Sequence, residues 1–231
     1  MSPTRLPEYA LIVAGGSGSR MQQALPKQFL AVGHLPVLMH TLGRFYSYHP
    51  DIHIVLVLPQ AHFSFWETLC KEHHFQLPHR LVAGGSSRFA SVKNGLKDIP
   101  KEALVAVHDG VRPFVAISTI AESFQTAAAK GSAIASVALK DSIRWAKNGQ
   151  NKALDRNDYR LIQTPQTFRA ALLHRAYEQE EQSFFTDDAS VVEALGEEVY
   201  LIEGSYENIK ITTPEDLLVA EAFLKEEASN S

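Results

Sequence analysis

Short apolar, β-branched runs alternate along this chain with longer stretches whose apolar residues recur at helical spacing. Residues 9–14, 53–58, 80–83, 104–108, 133–139 and 199–202 read as strands, and residues 37–48, 63–73, 87–96 and 117–130 read as helices between them. Later helices are predicted at 169–179, 187–195 and 215–226, the last opened by Pro214-Glu215-Asp216 after Thr213. Strands that are apolar at successive positions, separated by helices, predict an α/β fold: a mostly parallel sheet covered on both faces. A length of 231 residues suits one well-cored domain with a small appendage, spanning the whole chain.

Residues 140–164 break this rhythm. They read as two short extended pieces around Lys147-Asn148-Gly149-Gln150, and Asn-Gly is a strong hairpin signal. An isolated hairpin is marginal in water, so this arm is expected to pack on a second subunit. The alternative is a flap folded back on its own domain.

The candidate chemistry sits where predicted strands end. Ala14-Gly15-Gly16-Ser17-Gly18 follows the first strand and is trailed by Arg20 and Lys27. Glycines there are expected to take positive φ and aim N–H groups at phosphate oxygens, with the two cations neutralising the remaining charge. The loop is neither a P-loop nor the dinucleotide fingerprint, which would need glycine at Met21. Taken alone, it is equally a tight turn with solvated cations. A second turn, Gly84-Gly85-Ser86-Ser87-Arg88, leads into a helix carrying Ser91, and either serine could simply cap that helix. A third places Asp109-Gly110-Val111-Arg112 after an apolar strand. Asp109 is where a magnesium ligand is expected, since magnesium takes one or two carboxylates plus phosphate oxygens and water. Arg112 would be free for a second phosphate, unless the two form an ordinary surface pair. Thr186 reads as the N-cap of the helix beginning at Asp187, and Lys210, between Ile209 and Ile211, as a strand residue pointing away from its apolar neighbours.

Composition narrows the options. Lys and Arg total 22 against 26 Asp and Glu, a net charge of −4, so the chain has no basic field for nucleic acid and any phosphate affinity must be local. Cys70 is the sole cysteine and excludes an intrachain disulfide. No signal peptide and no membrane-spanning run is read, and the expected location is the cytoplasm. The ten histidines show no zinc-ligand spacing.

Ala14-Gly-Gly-Ser-Gly-Ser-Arg-Met, Pro26-Lys-Gln-Phe, Val107-His-Asp-Gly-Val-Arg-Pro, Thr164-Pro-Gln, Thr186-Asp and Asn208-Ile-Lys occur in the order found in the 2-C-methyl-D-erythritol 4-phosphate cytidylyltransferases, and the chain resembles that family from Glu8 to about Leu224. The resemblance implies a Rossmann-like nucleotidyltransferase fold, a homodimer joined by the hairpin arm, and magnesium with CTP as co-substrate. It implies that Ala14, Gly15, Gly16, Gly18, Arg20 and Lys27 surround the triphosphate and that Gly85 and Ser91 lie near the cytosine. Asp109, with Gly110 beside it, would bind magnesium near the ribose. Arg112, Thr186 and Lys210 would bind the polyol phosphate, and Ser142 and Arg156 would reach in from the partner's arm. Arg20, Lys27 and Lys210 take the catalytic roles. The chain departs from the common pattern at Gly15, often alanine, at Ser142, often threonine, and at Gly110-Val111, often Ala-Ala. Gly15 also occurs in ribitol 5-phosphate cytidylyltransferases, whereas Asp155-Arg156 followed by Tyr159 favours the methylerythritol enzyme. The remaining alternatives are another sugar-phosphate nucleotidyltransferase and a nucleotide-binding regulatory module without turnover.

Overall fold

The structure, a computed structural model, describes residues 6–15 and 25–229. Its first strand, β1 (Glu8–Val13), shows why an unbroken apolar run forms a strand here: the pleat sends Ala10 and Ile12 to one core, and Leu11 and Val13 to the other. After a two-strand turn, β2 (Ala31–Val32) and β3 (Leu35–Pro36), α1 (Val37–Tyr48) lays Leu38, Leu42 and Phe45 on the first of these cores. β4 (His53–Leu58), α2 (Phe63–Glu72), β5 (Arg80–Ala83) and α3 (Arg88–Leu96) extend the sheet in parallel on one side of β1. The chain then crosses back to place β6 (Leu104–Asp109) parallel to β1 on its other side. Strand order therefore reverses at β1, and the crevice beyond the carboxyl ends of β1 and β6 is where open α/β sheets bind ligands.

α4 (Ile117–Lys130) ends at Gly131, whose φ of 98° requires a residue without Cβ strain, and leads into β7 (Ser132–Ala138). The arm follows as β8 (Ile143–Lys147) and β9 (Gln150–Leu154), joined through Asn148 and Gly149 at φ 51° and 79°, as the Asn-Gly signal predicts. β10 (Arg160–Arg169) departs from the sequence expectation. It is not arm but a ten-residue strand inside the main sheet, antiparallel between β6 and β7. Its first residues, up to Thr164, fall in the stretch expected from sequence to be arm, and its Gln163-Thr164-Pro165-Gln166-Thr167 run is polar and contains proline, unlike the apolar runs that mark the other strands. Yet each polar side chain is bonded: Gln163 Nε2 to Ser205 O at 2.8 Å, Gln166 Nε2 to Asp187 Oδ2 at 2.9 Å and Thr167 Oγ1 to Ser123 Oγ at 2.8 Å. The pairing with β7 shifts register between Ile162 and Gln166, so Pro165 sits in the break, where its missing N–H is not needed.

α5 (Ala170–Ala176), α6 (Asp188–Glu193), β11 (Leu201–Glu203) and α7 (Pro214–Ser229) complete the chain, giving a seven-stranded sheet in the order β11-β7-β10-β6-β1-β4-β5. Only β10 runs against the others. Asp187, not Thr186, caps α6. Its carboxylate takes the Ser190 N–H at 2.9 Å while Ser190 Oγ takes the Asp187 N–H at 3.2 Å, a reciprocal box that a threonine one residue earlier cannot reach. Residues 208–212 form no strand; Ile211 instead donates its N–H to Val111 O at 2.9 Å, which pins this segment beside the end of β6.

Candidate functional site

The carboxyl ends of β1, β5 and β6 open on a cleft of about 250 Å³, lined by Ala14, Gly15, Lys27, Gln28, Gly85, Arg88, Ser91, Asp109 and Lys210 among others. Gln28, 1% exposed, holds the end of β1 by donating Nε2 to Ala14 O at 2.9 Å, and Lys27 therefore enters the cleft from a fixed turn. On the far wall, Gly85 donates its N–H to Ser91 Oγ at 3.0 Å, and Ser91 passes its own proton to Ser87 O at 2.8 Å. A Cβ at Gly85 would stand 2.4 Å from the Ala90 Cβ, so the turn's tight approach to α3 admits only glycine. Gly15 and Gly85 are both outside the positive-φ region, so close approach and not left-handed backbone explains Gly85, and the expected positive φ at Gly15 is not found. Ser87, one of the two predicted caps, takes the Ala90 N–H at 3.0 Å.

Asp109 is the electrostatic centre. Its Oδ2 lies 2.9 Å from Lys210 Nζ and 3.3 Å from Arg112 Nε, and its Oδ1 lies 3.9 Å from Arg88 Nε. Burial alone would raise this carboxyl's pKa; Lys210, Arg88 and Arg112 outweigh it and hold the group well below the usual carboxylate range. Arg112 is not free as expected, since it also donates Nη1 to Asn208 O at 2.7 Å. Burial lowers its pKa, and Asp109 opposes that.

Two networks beneath the cleft set this geometry. The Asp109 N–H donates to Thr164 Oγ1 at 3.1 Å, and Thr164 lies 3.0 Å from His108 Nδ1. The Arg112 carbonyl, 3.1 Å from His108 Nε2, can only accept, so Nε2 carries the proton, and Nδ1 of the neutral ring accepts from the Thr164 hydroxyl. Burial lowers the His108 pKa to about 4, which keeps the ring neutral and this tautomer in place. In the second network Arg88 forks onto Asp188, with Nη1–Oδ1 at 3.1 Å and Nη2–Oδ2 at 2.6 Å, and the Tyr177 hydroxyl donates to the same carboxylate at 2.6 Å. Burial would lower the Arg88 pKa, and Asp188 more than reverses it.

Of the residues picked out from sequence, Ala14, Gly15, Lys27, Gly85, Ser91, Asp109 and Lys210 line one cleft. Gly110 lies beneath it, so close to Ala14 that a Cβ would meet the Ala14 Cβ at 2.7 Å. Arg112 joins through Asp109. Gly16, Gly18 and Arg20 lie outside the described residues. Thr186 is exposed at the foot of α6, and Ser142 and Arg156 are exposed on the arm, where Arg156 bonds the Lys140 carbonyl. These three do not line the cleft of their own chain. Sequence reasoning left out Arg88, Asp188, His108, Thr164 and Asn208 as site residues. The available signal was the placement of Arg88, His108, Asp188 and Asn208 within the same short motifs as Ser91, Asp109, Thr186 and Lys210, and of Thr164 in the Thr164-Pro-Gln motif of its own.

Such a crevice, with cations gathered at the carboxyl ends of parallel strands, defines a nucleotide-binding α/β protein of the nucleotidyltransferase class. The family profile described as IspD, 2-C-methyl-D-erythritol 4-phosphate cytidylyltransferase, matches residues 9–226. A protein of that name from Bacteroides fragilis is 52% identical over 93% of this chain and 98% of its own, and one from Bacillus velezensis is 42% identical over 96% and 98%. The crystal structure of 4-diphosphocytidyl-2C-methyl-D-erythritol synthase from Anaerococcus prevotii superposes with a TM-score of 0.81 at 29% identity, covering 95% of this chain and 96% of that one. The corresponding cytidylyltransferase from Thermus thermophilus gives 0.72 at 30% identity, covering 93% and 98%. The chain belongs to the 2-C-methyl-D-erythritol 4-phosphate cytidylyltransferase family.

Proposed function

We propose that this protein transfers CMP from CTP to 2-C-methyl-D-erythritol 4-phosphate, giving 4-diphosphocytidyl-2-C-methyl-D-erythritol and pyrophosphate in non-mevalonate isoprenoid biosynthesis, and that the cleft around Asp109 is where it does so. An oxygen of the acceptor phosphate forms the new bond to the α-phosphorus of CTP, and the bond to the bridging oxygen of the β-phosphate breaks in line with pyrophosphate as leaving group. A phosphate monoester has a second pKa near about 6, so the nucleophile is already ionised and no general base is required. The barrier is repulsion between two polyanions and charge growing on the leaving group, which positioned cations offset. The observation that carries this reading is the convergence of Lys27, Arg88, Lys210 and Asp109 on one crevice in a chain whose net charge is −4.

Lys27, and Arg20 by the family's pattern, would hold the triphosphate. Lys210 and Arg112 would leave Asp109 in part to meet the acceptor phosphate, and Thr186, which lies outside the cleft lining, would have to reach the acceptor from the foot of α6. The donor chemistry fits magnesium: the Asp109 carboxylate lies in the cleft, and one carboxylate suffices for an ion that arrives on a triphosphate and keeps waters. Asp109 would hold it, and the ion would neutralise charge on the α-phosphate and the departing pyrophosphate.

The arm supports a homodimer. β8 and β9 form a separate two-stranded sheet, and Trp145, Tyr159, Leu161 and Ile162 along the arm and its return are each more than 40% exposed. Packed on a partner, the arm would deliver Ser142 and Arg156 to the partner's acceptor site. Among the described residues no helix is long and apolar enough to cross a membrane. Cys70 is the sole cysteine, so no intrachain disulfide can form, which suits a reducing compartment, and we place the protein in the cytoplasm.

The test is magnesium-dependent pyrophosphate release, with the four ribonucleoside triphosphates crossed against methylerythritol 4-phosphate and ribitol 5-phosphate. Turnover confined to CTP with methylerythritol phosphate is the expected result. Preference for ribitol phosphate, or CTP binding without pyrophosphate, refutes the reading.

A further inference from the structure

Lys27 reaches the cleft from a three-residue turn, and the two residues after it anchor that turn. Gln28 ties it to the end of β1 through Ala14 O, while Phe29 is sunk in the first core. There the Phe29 ring meets His62 at 5.6 Å and Phe65 at 5.1 Å between centroids, both edge-on, and Trp66 at 6.3 Å, stacked with 28° between the planes. Phe65 and Trp66 belong to α2, and His62 immediately precedes it, so this helix supplies the seat for Phe29. Of the three rings, only Trp66 has no exposed surface.

A buried indole N–H needs an acceptor, and here that acceptor is a histidine. Trp66 Nε1–H donates to His79 Nε2 at 2.9 Å, and His79 Nδ1–H donates to Leu77 O at 2.7 Å, so the tautomer is fixed and the acceptor is aimed at the indole. Burial lowers the His79 pKa, which keeps Nε2 unprotonated. Packing beyond the indole is incomplete. A cavity of about 480 Å³ has Trp66, Cys70, Phe75 and His79 in its lining. A side chain in a close-packed core has nowhere to move, whereas this ring has slack on the side away from Phe29, and its hydrogen bond is what takes the slack up.

We propose that Trp66 and His79 are positioning residues for the transfer reaction: His79 fixes the Trp66 ring, the ring seats Phe29, and the seated Phe29 holds the turn from which Lys27 meets the triphosphate. Neither residue touches substrate, and both act through Lys27. The proposal rests on the reading that the cleft takes a triphosphate against Lys27. A purely structural role for the pair, tying α2 to the chain before β5, makes a different forecast. Its loss would then lower kcat by the same factor whether or not Lys27 is present.

The experiment is a double-mutant cycle on kcat, measured as pyrophosphate release at saturating CTP and methylerythritol 4-phosphate in the full-length enzyme. Trp66→Leu is expected to lower kcat about tenfold, within the hundredfold or so that a displacement of about 1 Å can cost. In the Lys27→Ala background the same substitution lowers it by less than about twofold, because no ammonium group is left to misplace. His79→Leu, which takes away only the acceptor, lowers kcat about fivefold, the scale of one hydrogen bond, whereas His79→Gln, with an amide oxygen to accept from the indole, stays within about twofold of the wild type. If Trp66→Leu fails to fold, the two His79 variants in both backgrounds decide the matter. Equal losses with and without Lys27, a silent Trp66→Leu, or a His79→Gln no faster than His79→Leu overturns the proposal. Failure of the underlying reading looks different. Lys27→Ala alone then keeps full turnover, whereas an impaired Lys27→Ala beside a silent Trp66→Leu removes the positioning pair only.

Discussion

Replacing Asp109 by asparagine removes one charge from the middle of three cations while keeping the side chain's shape. The cost follows from what each cation has left. Lys210 is 42% exposed at its side chain and can turn to water, and Arg88 keeps its fork on Asp188. Arg112, with 11% of its side chain exposed, keeps only the Asn208 carbonyl among the described residues. Breaking a buried pair by removing one partner costs about 3–5 kcal/mol, and with one cation stranded out of three the low end, about 3 kcal/mol, applies. For a chain of this size that is about 6–12 °C in Tm. The pH dependence has a definite sign. Asp109's folded pKa lies below its unfolded value of 3.8, so its contribution is fully present above that value and is lost as pH falls through the folded pKa. Differential scanning calorimetry of wild type and Asp109→Asn should therefore show a constant gap from about pH 8 to pH 5 that narrows only in stronger acid. A gap under about 2 °C at pH 7, or one already closed at pH 5, would refute the assignment of Asp109 as the clamp of the cation cluster.

Lys27→Ala should lower kcat by at least about a hundredfold, the scale of one lost preorganised donor, in a steady-state pyrophosphate assay; near-normal kcat removes Lys27 from the transition state. Arg156→Ala should raise the acceptor KM with little effect on that for CTP, and unchanged kinetics for both substrates would refute the shared site. His108 has a folded pKa of about 4 against 6.5 unfolded, so stability is full above pH 6.5 and falls as pH drops towards 4. At 1.36 kcal/mol per pH unit the loss totals about 3 kcal/mol, and urea titrations of His108→Gln should lack that part of the slope. Gly85→Ala should raise the KM for CTP and lower Tm, since its Cβ has to displace Ala90; a silent substitution would show that the turn is not rigid.

The layered architecture was legible because strands buried on both faces must be apolar at successive positions, as Ala10 to Val13 are. β10 was not, because Gln163, Thr164, Gln166 and Thr167 are buried by means of partners on β6, α4 and the turns before α6 and α7, and a local pattern holds no record of distant partners. The same distinction divides the site. Asp109 and Gly85 could be named from their places at strand ends, and Lys27 as a cation trailing the glycine-rich segment. The roles of Arg88 and Asp188 depend on a contact across 100 residues, and His108 reads as an ordinary strand residue until Thr164 is placed beside it. Lys210 was selected for the correct cleft by an incorrect argument: its segment is not a strand, and what turns it inward is the Asp109 carboxylate at 2.9 Å.

Whether the Asp109 cleft is the nucleotide site is decided by a crystal structure of the protein with CTP and magnesium. The triphosphate is expected against Lys27, the base over the Gly85 turn and the ribose beside Asp109. Nucleotide bound anywhere that leaves Lys27 and Asp109 untouched would contradict it.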